Sequence, residues 1–435
     1  MEAQFAETYE KKDQLFPLCS SRRIAVMNFE YFFARRITLR TQRKASTLTV
    51  RLAIISIALA VATMEIALSF VQGFETEIQK KVVGFGSHIH LGTYFRQLDT
   101  EIKPLPKDEE SLAQIRQLPG VVSLSPYVEM AAALKSKSGW DGVRLKGVDG
   151  AYDWHFFQQV LKDGYIPQYD RDIPTGVLEI LISRKQSRRL SLNTGDKAVL
   201  LFIAAQENFK RRPVTVAGIY ETGMEEFDNN VVICDMRLLQ DIWGWESNEV
   251  GGFEVNLTSL DLLDLKVDQI KEMLPYRFDA EPITMLYPEI FDWLNLQHQN
   301  VWVILFLMII VAVINMTTVV LILIIERTRT VGILKAIGLP NHRVRRMFVW
   351  NAFFLILFGV VAGNLLGLGL LASQDAFGWL RVNQEDYFIE QVPVAWVWTR
   401  FLLINLGTIA SCTFFMLVPT IIINRISPVV AIRFK

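Results

Sequence analysis

The chain has 435 residues, 45 basic against 45 acidic side chains and 51% hydrophobic content, with a mean hydropathy of +0.26. That is too apolar for an ordinary soluble protein and too polar for a chain buried wholly in lipid, so a few membrane spans joined to a sizeable aqueous domain are predicted. Balanced charge argues against a nucleic-acid partner. Cys19, Cys234 and Cys412 lie too far apart, in surroundings too different, for a disulfide framework or a CxxC metal site.

In chain order, residues 1–51 read as a basic cytoplasmic segment. MNFEYFFARRITLRTQRKA begins at Met27, a candidate start alongside Met1. Phe29, Tyr31, Phe32 and Phe33 among arginines suggest an amphipathic stretch at the inner membrane surface. The FPLCS around Cys19 lacks the small residue and apolar core of a lipoprotein signal. Residues 52–72 form the first span, too long for a signal-peptide core and without a cleavage site, so it is expected to be retained. The following QGFETEIQKKVVGF keeps helical spacing and extends that helix.

Residues 73–300 are predicted to be an α+β domain. Runs of β type fall at His88–Leu91, Val121–Leu124, Val143–Val148, Val199–Ile203, Val214–Ile219, Val231–Ile233 and Phe253–Leu257. Helical patterns fall at Glu109–Gln117, Ser183–Leu190, Met236–Trp243 and Leu262–Leu274. Near the middle, LSLNTGD (190–196) reads as a turn, with Gly195 bending the chain and Asp196 supplying a side-chain acceptor.

Further spans follow at 301–325, 348–371 and 401–423, separated by residues 326–347 and 372–400 and followed by a tail, 424–435. Arg22, Arg23, Arg35, Arg36, Arg40, Arg43 and Lys44 precede the first span, and Arg327, Arg329, Lys335, Arg343, Arg345 and Arg346 separate the second from the third. The 372–399 loop carries only Arg381 against Asp375, Glu385, Asp386 and Glu390. The positive-inside rule therefore places both termini and residues 326–347 in the cytoplasm, and the large domain and acidic loop outside. The expected fold is an α-helical membrane protein of four transmembrane helices, with a large α+β extracytoplasmic domain between the first two.

Directly after the second span, Glu326, Arg327 and Arg329 lead into TVGILKAIG, a short amphipathic helix. Val331, Leu334 and Ile337 are expected to share one face, with Ile333 at its edge. Gly338 suits a left-handed cap, Pro340 stops the helix, and Asn341 can start the next. A greasy helix just inside a membrane lies either on lipid or in a soluble partner. In the third span Gly359, Gly363 and Gly367 recur every fourth residue, with Gly369 close by, allowing close helix packing within the subunit or against a second one.

The sequence holds no GxxxxGK[ST] phosphate loop and no defensible catalytic constellation, so no catalytic or metal-binding residue is assigned. His88 and His90 read as plain surface residues on one strand face. Glu65 lies inside the first apolar run, where a charge costs about 2.5–3.5 kcal/mol. It either faces a cavity or finds a protonated or outer-water setting. Asn315 in the second span is a second cavity candidate, although a hydrogen bond to a neighbouring helix is its simplest role.

Several of these stretches resemble one family. ER-x-R-x-VGILKAIG resembles the coupling segment of FtsX-like permeases of ATP-binding-cassette (ABC) systems. LSFVQGFETEIQ resembles the LS-x-x-NGFE-x-E-x-Q stretch of lipoprotein-releasing (Lol) permeases, departing at Gln72. LSLNTGD and the RISPVVAIRFK ending resemble other segments of the superfamily that also contains the MacB-like permeases. The resemblance implies a non-catalytic permease subunit in the bacterial inner membrane, releasing lipoproteins toward the outer membrane. It implies that Glu326, Val331, Ile333, Leu334, Lys335, Ile337 and Gly338 couple to a cytoplasmic ABC ATPase dimer that binds ATP–Mg, with no cofactor held by this chain. A second permease subunit, identical or a sister, and membrane lipids are the other implied partners. A periplasmic lipoprotein chaperone is a candidate partner for the hairpin around Ala204–Arg212, whose Phe209, Lys210, Arg211 and Arg212 are expected to be exposed, although that hairpin is shorter than a full hook. A MacB-like exporter of peptides or small molecules and an FtsX-like signalling subunit that activates an envelope hydrolase remain the alternatives.

Overall fold

A computed structural model describes residues 44–93, 103–107, 110–169, 178–203, 209–276 and 278–425. The expectations for residues 1–43, for 204–208 of the basic hairpin and for 426–435 lie outside the described residues. In chain order the elements are α1 (Lys44–Gly86), β1 (Ile89–Thr93), β2 (Leu105–Pro106), α2 (Glu110–Arg116), β3 (Val121–Lys135), β4 (Trp140–Val148), α3 (His155–Val160) and β5 (Leu161–Gly164). Then come β6 (Glu179–Ser183), α4 (Arg184–Leu190), β7 (Lys197–Ile203), β8 (Phe209–Tyr220), α5 (Glu225–Asp228), β9 (Val231–Asp235), α6 (Met236–Trp243), β10 (Glu249–Val250) and β11 (Gly252–Leu257). The chain continues with α7 (Leu263–Met273), β12 (Phe278–Pro282), α8 (Pro288–Glu326), α9 (Thr328–Ala336), α10 (Asn341–Phe377) and α11 (Trp398–Phe415). The described residues divide into two compact units, one within 44–69, 300–373 and 396–425, the other within 70–299 and 374–395.

The first unit is helical. Four helices, Leu48–Gly86, Pro288–Glu326, Asn341–Phe377 and Trp398–Ile423, are long and apolar enough to cross a membrane. The glycine stripe of α10 is spent inside the subunit. A Cβ on Gly359 would stand 2.7 Å from Ile57, one on Gly363 2.8 Å from the Ala58 carbonyl, and one on Gly367 3.0 Å from the Ala62 Cα. Missing side chains thus let α10 lie directly on α1, where Ile57, Ala58, Val61 and Ala62 are buried. Gly369 faces open space.

The second unit is an α+β domain built on a ten-stranded sheet, ordered β12-β1-β11-β3-β4-β9-β6-β8-β5, with β7 pairing β3 and β8. The pairs β4–β9 and β6–β8 are parallel, and the remaining pairs are antiparallel. Local chemistry explains the punctuation. Ser183 caps α4 with a reciprocal capping box to Gln186. Gly195, at φ +87°, turns the chain into β7, and the Asp196 carboxylate accepts from the Asn193 amide at 2.8 Å. The core centres on Phe85, Phe157, Tyr220 and Phe227, all fully or nearly fully buried.

His88 and His90 correct the surface reading. Both are buried, and β1 lies between β11 and β12 rather than at an edge. His88 Nδ1 accepts from the Leu257 amide at 3.1 Å, and His90 stands edge-on to Tyr127. Nothing in a four-residue polar-flanked run indicates that it will be flanked on both sides by strands far along the chain, with His90 opposite Glu254 on one side and Glu281 on the other.

Candidate coupling site

The apolar helix α8 ends at Glu326, which is exposed, and the chain turns at once into α9. Its C-terminus is a Schellman motif. The Gly338 amide donates to the Lys335 carbonyl and the Leu339 amide to the Leu334 carbonyl, both at 3.0 Å, while Gly338 sits at φ +96°. Lys335 donates to the Ile423 carbonyl at 2.5 Å, tying α9 to the end of the fourth span.

The structure redistributes the expected apolar face. Val331 is fully buried, and Leu334, half-buried, joins it in lining a crevice with Leu323, Arg327, Val344, Met347 and Phe348. These two residues fasten α9 to its own bundle. The outward apolar residues are Ile333, 45% exposed, and Ile337, 80% exposed, one turn apart and in line with exposed Arg329. The expectation that Val331, Leu334 and Ile337 share one face is therefore corrected. They fan across more than 100° of the helix, and the bundle claims the first two.

Glu65 does not face a cavity. It is fully buried, and its Oε1 accepts from Asn405 of α11 at 3.3 Å. Asn405 in turn pairs with Asn364 of α10, with nitrogen–oxygen separations of 2.8 and 2.9 Å. Glu65 thus joins three helices of one subunit, and Gly367 leaves room for its second oxygen. Asn364 and Asn405 carry this cluster and were missed in the sequence; their only signal there is two amides in two apolar spans. Asn315 is half-buried on α8, and the interhelical hydrogen bond expected of it is not formed among the described residues.

On the basic hairpin, residues 209–212 are part of strand β8. Arg211 is exposed, but Arg212 pairs with Asp241 at 2.7 Å and Lys210 donates to the Ile242 carbonyl at 3.0 Å. Two of the three cations expected at the surface are thus held against α6.

Residues 51–273, just over half the chain, match the MacB-like periplasmic core domain, and residues 302–428 match the FtsX-like permease C-terminal region. The chain belongs to the FtsX-like and MacB-like ABC-transporter permeases. The permease is 25% identical over 361 residues to the lipoprotein-releasing system transmembrane protein LolC of Neisseria meningitidis serogroup B, covering 78% of this chain and 83% of that protein. It is 21% identical over 426 residues to LolE of Haemophilus influenzae, covering 92% of this chain and 98% of that one. The periplasmic region of MacB from Actinobacillus actinomycetemcomitans aligns at 12% identity with a TM-score of 0.34, covering 46% of the permease and 91% of that chain.

Proposed function

We propose that this permease releases lipoproteins from the bacterial inner membrane toward the outer membrane, driven by a separate cytoplasmic ABC ATPase dimer. Both termini and α9 face the cytoplasm in this reading, and the α+β domain faces the periplasm. ATP–Mg is bound by the ATPase, and this chain holds no cofactor. The other partners are a second permease subunit, identical or a sister, membrane lipids, and a periplasmic chaperone that receives the lipid. Relatives named as lipoprotein-releasing permeases support lipoproteins over small molecules as cargo.

The observation that carries the coupling is the outward pair Ile333 and Ile337 on a helix anchored by Val331, Leu334 and Lys335. An apolar tip on a firmly seated helix suits a socket in a rigid protein partner. Energetics explain the need for a second apolar site. At about 0.8 kcal/mol per CH2, moving three long acyl chains into water costs on the order of 30 kcal/mol, more than one ATP supplies. The permease therefore has to pass lipid from one apolar environment to another, with ATP driving the difference.

The test is co-purification of the partner ATPase with wild type and with Ile337→Asp. The variant should fold and pair with a second permease subunit but lose the ATPase. Retention of the ATPase with full cargo stimulation would refute the assignment.

A further inference from the structure

Of the two long helices that connect the α+β domain to the spans, α1 ends at one buried cluster and the segment that leads into α8 packs against it. The last carbonyls of a helix need outside donors. Here the Phe85 carbonyl accepts from Lys146 Nζ at 3.0 Å, and the Gly86 carbonyl is met by His90 Nε2, both side chains coming from the sheet. Lys146 is buried and lies 2.6 Å from Glu254, and it also donates to the Tyr152 hydroxyl at 3.3 Å. Glu254 accepts from the Ser87 hydroxyl at 3.3 Å. Ser87 itself sits at φ +60°, a conformation that ordinarily favours glycine and is held here by its surroundings.

Ile283 and Tyr287, in the segment that leads into α8, meet the same cluster. A Cβ on Gly86 would stand 2.9 Å from Ile283 and 3.4 Å from Tyr287. The Ile283 amide donates to the His88 carbonyl at 2.9 Å. Phe85 stacks on Phe227 at 4.2 Å, and Phe227 meets Tyr287 edge-on at 5.2 Å.

We propose that Lys146 and Glu254 are positioning residues of a rigid joint that locks the outer ends of α1 and α8 to one sheet, so that displacement of either helix reaches the other without slack. This rests on the transport reading for its consequence, though not for its geometry. Burying a lysine and a glutamate is a poor way to gain stability, since apolar residues of the same volume often do as well or better. An ion pair with a helix carbonyl and a hydroxyl as further partners instead fixes direction. Lys146 also places its cation at the negative end of the α1 dipole.

Two variants separate joint from scaffold. Lys146→Met with Glu254→Leu removes both charges together and leaves no buried ion alone. Ser87→Gly relieves the backbone and deletes only the link to Glu254. Spin labels at Lys80 on α1 and Arg188 on α4, in a background with the native cysteines replaced by alanine, report the joint in lipid nanodiscs. Wild type should give one narrow distance distribution that is unchanged when the ATPase binds nucleotide. Ser87→Gly should keep the wild-type melting temperature, and both variants should broaden that distribution and release several-fold less lipoprotein per ATP. Wild-type widths and wild-type release per ATP in both variants would overturn the joint. Absence of release by the wild type would count against the transport reading, while the distance distributions would still decide the joint.

Discussion

Gly367 meets Glu65 across the α1–α10 contact, where a Cβ at position 367 would stand 2.5 Å from the Glu65 carboxylate. A carboxylate in an apolar helix is tolerable here because its neighbours are a bare backbone and a pair of linked asparagines. A residue that could have faced a cavity is instead part of a seam inside one subunit.

That seam predicts different responses on two faces of α10. Gly363→Leu drives a side chain into the Ala58 backbone, and overpacking of this kind costs about 1–3 kcal/mol. Gly369→Leu faces open space. Thermal melting in nanodiscs should show a drop of several degrees for the first variant and none for the second.

The two faces of α9 should separate in the same way. Leu334→Asp puts a charge into the crevice with Val344 and Met347 and should lower both the melting temperature and ATPase stimulation. Ile337→Asp changes a residue 80% exposed and should abolish stimulation while leaving the melting temperature unchanged. Melting curves and ATPase assays on the two variants test this together.

Asp228 gives a pH prediction in the outer domain. Burial raises its pKa above the ordinary carboxylate value, partly offset by hydrogen bonds from Thr222 and Gly223. A folded-state value above the unfolded one contributes stability that is fully present below the unfolded pKa and is lost as pH rises through the folded one. The melting temperature of wild type minus that of Asp228→Asn should therefore rise as pH falls from 7 toward about 4. A difference that falls over that range contradicts the sign.

Cys234 should be chemically silent. It is buried in β9, and burial pushes its thiol pKa well above the usual range, while the thiolate is the reactive form. Alkylation at pH 8 should be at least about tenfold slower in the folded chain than after denaturation, read by mass spectrometry.

Sequence periodicity located the spans and most of the sheet because each of those signals is local. Met236–Trp243 reads as a helix from its own apolar spacing, and Gly195-Asp196 reads as a turn from its own chemistry. β5, β6 and β12 of the large sheet escaped notice, as did the two-residue strands β2 and β10. Leu161–Gly164 is a short, polar edge strand, and Glu179–Ser183 is too short an apolar run to stand out. The site was less legible because it depends on what covers what. Val331 and Ile337 are equally apolar in the sequence, and only packing of α10 against α9 decides that one is an anchor and the other a tip. The buried roles of His90, Lys146 and Glu254 arise from three distant strands and had no local signal at all.

The most direct test of the central claim is reconstitution of the permease with its ATPase and second subunit in proteoliposomes that hold a triacylated lipoprotein. The quantity to follow is ATP-dependent transfer of that lipoprotein to a soluble acceptor. The account predicts transfer by the wild type and none by Ile337→Asp. ATP turnover by the wild-type complex without any transfer would contradict it.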